Sequence, residues 1–64
     1  MRINLVNSRK EKGFTQKDLA ARSGITERHY QRIEAGTSDG STKSWGKLSQ
    51  ILSESIDYLL EQAK

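Results

Sequence analysis

Two threonines eleven residues apart, Thr15 and Thr26, constrain this chain more than any other feature. Each follows an apolar residue, Phe14 or Ile25, and each is followed four positions on by another, Leu19 or Tyr30. That is the pattern of a hydrophobic staple around a helix N-cap, where the threonine hydroxyl accepts from a backbone N–H of the first turn. Asp18 sits where it can return the bond as a capping box, slightly more weakly than Glu would. Between the two helix starts lies "RSGIT", short enough only for a tight turn, with Gly24 to supply the positive φ. Residues 16–35 therefore read as two short helices joined by a glycine turn.

The same punctuation divides the rest of the chain. Leu5 and Val6, in "INLVNSRKEK", begin a first helix that should stop at Gly13. After Gly36 the polar stretch "TSDGST" leads to Ser41 as the cap of a fourth helix, with Trp45, Leu48 and Leu52 on one face. Ser55 caps a short fifth helix, in which Asp57 complements the positive end and Leu59 and Leu60 are apolar. With no strand pattern and no repeats, the prediction is an all-α chain of five short helices.

A chain of 64 residues makes one domain, residues 1–64, because at this size only about 60% of the unfolded surface is buried and two cores cannot form. The absence of Cys excludes a disulfide framework and a thiolate metal site, and fits a reducing, cytoplasmic setting. No apolar run nears the roughly 18 residues of a membrane span, and "MRINLVNSRK" lacks the apolar stretch of a signal peptide. One His and no Gly-rich phosphate loop leave no constellation for an enzyme, and no metal, cofactor or small-molecule ligand is expected. The net charge of +3 is unevenly spread: residues 1–32 carry eight Lys/Arg against three acids, the remainder three against five. A basic half suits a polyanion, and it also suits a Lys-rich solvated surface.

The third helix separates these readings. At about 100° per residue, Tyr30 and Ile33 mark its inward side. Arg28 and Arg32 then fall near the opposite pole with Gln31 beside them, while Glu27 and His29 take the flanks. A capped helix, a glycine turn and a second helix with a polar outer face form a helix-turn-helix. Such a unit can lay its second helix in the major groove of DNA, which is about 12 Å wide.

"TQKDLAARSGITERHYQRIEAG" resembles the helix-turn-helix of the phage Cro and repressor family at Thr15-Gln16, Leu19-Ala20, Gly24-Ile25-Thr26, Tyr30, Ile33, Glu34 and Gly36. Arg9 upstream and Trp45, Leu48, Leu52 and Leu59 downstream keep that family's register, so the resemblance covers about residues 3 to 60. It implies the compact five-helix fold of lambda-repressor-like DNA-binding domains, with residues 27–35 as the recognition helix. It also implies a regulator of transcription that binds double-stranded DNA.

The family's base-reading positions fall on Glu27, Arg28 and Arg32. Each arginine would offer its guanidinium fork to guanine O6 and N7, worth about 1 to 3 kcal/mol of discrimination. Glu27 has two readings, an acceptor for cytosine N4 or a carboxylate favouring its own helix's positive end. His29 and Gln31 are secondary candidates for a base or a phosphate. Gln16, at a helix start, takes the position of the family's backbone-phosphate glutamine. Ser38, Ser41 and Lys43 are candidates for a second phosphate, although the hydroxyls serve equally as caps. Arg9 and Glu34 stand where the family has a partly buried ion pair holding the first helix to the third.

Several residues depart from the pattern. Gly40 replaces a usual Pro, from which a looser 37–42 loop is expected. Glu54, Thr42 and Ser49 replace small or apolar residues and should erode the core, and Trp45 in place of Leu should compensate. The resemblance implies a homodimer on a pseudo-palindromic operator, its recognition helices about 34 Å apart. Tyr58 and Leu60 are the candidate contacts, or else they close the monomer core. The competing class is a protein-interaction module, such as an antitoxin or adaptor, on the same scaffold. Salt distinguishes the two, because only phosphate contacts weaken steeply as counterions are added.

Overall fold

The computed structural model describes residues 1–62, so the last two positions of the 1–64 span lie outside it. Among the described residues the elements are α1 (Ile3–Glu11), α2 (Gln16–Ser23), α3 (Glu27–Ala35), α4 (Thr42–Leu52) and α5 (Ile56–Leu60), with no strand. Helix α2 packs on α3 and α4, while α1 lies against α5 and α3. One core joins Leu5, Leu19, Tyr30, Ile33, Trp45, Leu48, Leu52 and Leu59, with Ala20 keeping the α2–α3 approach close.

Four of the five helices begin on a hydroxyl cap. Thr15 Oγ1 accepts from Asp18 N at 3.0 Å and Asp18 Oδ2 from Thr15 N at 3.2 Å, which completes the reciprocal box. Thr26, Ser41 and Ser55 accept from His29, Ser44 and Tyr58 N at 3.1, 3.1 and 3.2 Å. Gly24 closes α2 at φ 74°, its N–H turned back on the Ala20 and Ala21 carbonyls. The three-residue link Gly24–Thr26 thus serves as the end of one helix and the start of the next.

Helix α1 is the exception. It starts at Ile3 rather than at the apolar pair Leu5-Val6, and no side chain caps it. Its anchor is Arg2, one of the eight cations of the basic half and yet only 3% exposed. The Arg2 backbone N–H donates to Glu34 O at 2.9 Å. Its guanidinium donates to Leu60 O at 3.2 Å, Ile33 O at 2.7 Å and Ser38 O at 3.0 Å, and lies over the Trp45 ring. A buried guanidinium is tolerated where carbonyls take its donors, and two of these carbonyls belong to the negative ends of α3 and α5.

The α3–α4 loop is also better held than a Gly-for-Pro exchange suggests. Arg2 takes the Ser38 carbonyl and Trp45 Nε1 donates to Asp39 O at 2.7 Å. Gly40 has φ +67°, a conformation closed to proline, and a Cβ there would stand 3.1 Å from Ile33 Cδ1. The expected erosion at Thr42 and Ser49 is likewise corrected. Thr42 is exposed at the start of α4. Ser49 closes its end: its carbonyl accepts from Glu54 N and its hydroxyl donates to Glu54 O, around Ser53 at φ 57°. Glu54 is half-buried and forms no ion pair among the described residues.

Two stability outcomes follow. Arg2→Ala takes the side-chain donor from three carbonyls, of which Ile33 O keeps the Gly36 N–H, and uncovers Trp45. Urea unfolding should therefore show a loss of about 3 kcal/mol, with Arg2→Lys recovering only part. Gly40→Pro, the exchange toward the family pattern, should cost about 3 kcal/mol or more in the same assay. A neutral or stabilised Gly40→Pro protein would contradict this loop geometry.

Candidate nucleic-acid interface

The outer face of α3 depends on what holds the inner one. Tyr30 and Ile33 are fully buried, and Glu34 is buried beside them. A carboxylate has about four lone-pair directions, and four donors converge on Glu34. Arg9 Nε reaches Oε2 at 2.9 Å and Arg9 Nη2 reaches Oε1 at 3.4 Å. Tyr30 Oη donates to Oε2 at 2.5 Å and Gln16 Nε2 to Oε1 at 2.9 Å. Arg9 also donates to the Phe14 carbonyl at 2.9 Å. One anion thereby ties together α1, the start of α2 and α3.

Burial by itself penalises the Glu34 charge. The hydrogen bonds from Arg9, Tyr30 and Gln16, with the Arg9 charge, outweigh it and hold the carboxyl below its ordinary value. Burial first, and then the bond to and charge of Glu34, push the Tyr30 hydroxyl well up. For Arg9, burial opposes the charge and Glu34 more than restores it. The group is an arginine cation, a carboxylate and a neutral phenol throughout the ordinary pH range.

With that side locked, α3 presents Glu27, Arg28, His29, Gln31 and Arg32 outward, all exposed. Ion pairs among the described residues are Arg2–Asp39 and Arg9–Glu34, so Arg28 and Arg32 keep their guanidinium donors free. One turn separates them, about 6 Å along the axis and close to two base-pair steps. Of the eight basic residues before position 33, Arg2 and Arg9 are buried in the scaffold, which leaves six at the surface. One of the six, Arg22, lies with its guanidinium 4.8 Å from the centre of the Phe14 ring.

The backbone candidates are dispersed. Gln16 is half-buried, with its amide nitrogen on Glu34. Ser38 Oγ accepts from Gly40 N. Ser41 Oγ accepts from Ser44 N and donates to Ser44 Oγ, so it is occupied as a cap. Lys43 is exposed in the first turn of α4. An open groove of about 390 Å³ runs between the starts of α3 and α4, lined by Gly24, Ile25, Thr26, His29, Ser41 and Ser44. Tyr58 is exposed, whereas Leu60 packs half-buried against the core.

Arg2 escapes sequence reasoning, since its acceptors lie 31, 36 and 58 residues away. The Tyr30–Glu34 bond did leave a signal, because residues four apart share one helix face.

A capped helix pair around a glycine turn, with the second helix pinned inside and cationic outside, defines a helix-turn-helix protein. The chain belongs to the helix-turn-helix family, whose model matches residues 7–59. Over 58 residues, 91% of this chain, it is 40% identical to YqaE of Bacillus subtilis (strain 168), described as an uncharacterized HTH-type transcriptional regulator. Over 57 residues, 89% of this chain, it is 39% identical to YonR of the same organism, described as an SPbeta prophage-derived uncharacterized HTH-type transcriptional regulator. The chain spans about half the length of these curated relatives, 50% and 53%. No solved structure matches it significantly. No helix among the described residues is long and apolar enough to cross a membrane.

The Glu34 cluster has a pH signature. A carboxyl whose folded pKa is depressed contributes stability above its unfolded value and loses it as pH falls through the folded value. Urea midpoints should therefore hold level at neutral pH and fall below the ordinary carboxyl value of 4.5. Asp18, lowered by its bonds with Thr15, acts in the same direction. Glu34→Gln should be less stable at pH 7 and should lose part of the acid slope, and an unchanged slope would rule Glu34 out as its source.

Proposed function

We propose that this chain is a transcriptional regulator that binds double-stranded DNA through α3 in the major groove. It acts as a Cro-like or repressor-type protein on a pseudo-palindromic operator. The observation that carries the reading is the pair Arg28 and Arg32: two unengaged guanidinium groups one turn apart on a capped helix whose other side is locked into the core. In this reading both arginines take guanine edges, Glu27 reads a neighbouring base, and His29 and Gln31 touch a base or a phosphate. Gln16, Lys43 and the Ser38 hydroxyl meet the sugar-phosphate backbone, while Ser41, whose hydroxyl proton is given to Ser44 Oγ, keeps its role as the α4 cap. The relatives' descriptions as transcriptional regulators support the same reading.

The regulator works as a homodimer, at least on DNA. Tyr58, 40% exposed, supplies apolar surface for that contact, and Met1 and Ile3 are exposed as well. Leu60 serves the monomer, with its carbonyl on Arg2.

Selection from a random duplex library followed by sequencing tests the proposal. A palindrome is the expected result, and recovery of unenriched sequence would overturn it. On the selected site, Arg28→Ala and Arg32→Ala should each relax preference at one base pair, at a cost of about 1 to 3 kcal/mol. Gln16→Ala should instead weaken every sequence alike, and uniform losses from all three would remove the arginines as readers.

A further inference from the structure

Gln16 is the one member of the Glu34 cluster that belongs to the proposed interface. Arg9 and Tyr30 are buried on the protein side, whereas Gln16 is half-exposed at the start of α2. Its amide nitrogen fills the last acceptor direction of a carboxylate that already takes two bonds from Arg9 and one from Tyr30. An amide nitrogen carries two hydrogens, and Glu34 uses one of them. The acceptor-only carboxylate also decides which way the amide faces, nitrogen inward to Glu34.

We propose that Glu34 is a positioning residue for DNA binding: it holds the Gln16 amide in place before DNA arrives, so that the second N–H meets a backbone phosphate without first being ordered. The inference rests on the DNA-binding reading above and adds to it a role for a buried carboxylate that touches no DNA. A free glutamine loses rotamer freedom when it is ordered, and Glu34 has already imposed that loss in the folded protein. The Glu34 charge does not repel the phosphate, because Arg9 neutralises it at 2.9 Å.

A double-mutant cycle tests this on a mixed-sequence 20-base-pair duplex at low salt, since a phosphate contact does not depend on sequence. One background is the wild type. In the other, Arg9→Met, Tyr30→Phe and Glu34→Leu replace the cluster by apolar groups, which keeps the net charge and commonly preserves folding. Gln16→Met, which keeps the length of the side chain and removes its N–H groups, is made in both. The cluster replacement should weaken binding about three- to tenfold, the scale of ordering one long side chain. Gln16→Met should then cost several-fold in the wild type and clearly less in the apolar background.

Equal losses in the two backgrounds would mean that Gln16 meets phosphate without help from Glu34, and the inference falls while the binding reading stands. No loss in either background would remove Gln16 from the interface, and a wild type that binds no duplex would remove the DNA-binding reading as well. Should the apolar background fail to fold, the wild type alone decides. The Gln16 side-chain amide should show an NMR order parameter above about 0.6 in the free protein, and a value below that, as flexible groups give, would overturn the inference.

Discussion

The structure turns on one buried carboxylate. Glu34 lies inside a small protein, where an unpaired charge would cost several kcal/mol, and it is stable there because four donors from three elements meet it. Those donors come from α1, from the start of α2 and from α3 itself, so satisfying the charge fixes the rotation of α3 about its axis. Apolar burial of Tyr30 and Ile33 sets the inward side only broadly, because hydrophobic contacts carry little direction. The hydrogen bonds to Glu34 narrow that freedom, and with it the direction in which Arg28 and Arg32 project.

Arg2 does a comparable task at the same C-terminal end of α3, on its backbone carbonyls. A guanidinium holds five donors in a rigid plane, which lets one side chain serve the ends of α3 and α5 and the following loop together. Its position over Trp45, whose indole N–H holds Asp39 O, makes the α3–α4 loop part of the scaffold. Two of the eight cations in the basic half are thus structural. Charge counted along the chain overstates the charge available to a polyanion.

Much of the architecture was legible in the residues because its signals are local. Thr15, Thr26, Ser41 and Ser55 each cap a helix through a neighbour three positions on, and Gly24 closes a turn within its own segment. The outward face of α3 was legible for the same reason, since the 3.6-residue period needs only Tyr30 and Ile33 as references. Gly40, Thr42 and Ser49 misled when set against a family pattern. Their effects depend on a backbone φ, on exposure and on a bond across a helix end, none of which residue type alone conveys.

By itself, then, the sequence determined the four capped helix starts, the glycine turn and the polarity of the outer face of α3, all of which follow from interactions within a few residues. Only the tertiary structure decided that Arg2 is a buried tie and that Gln16 is bound to Glu34. Both depend on partners brought together across 18 to 58 residues. No periodicity in the chain encodes which buried charge will find which acceptor, because that pairing exists only after the helices have packed.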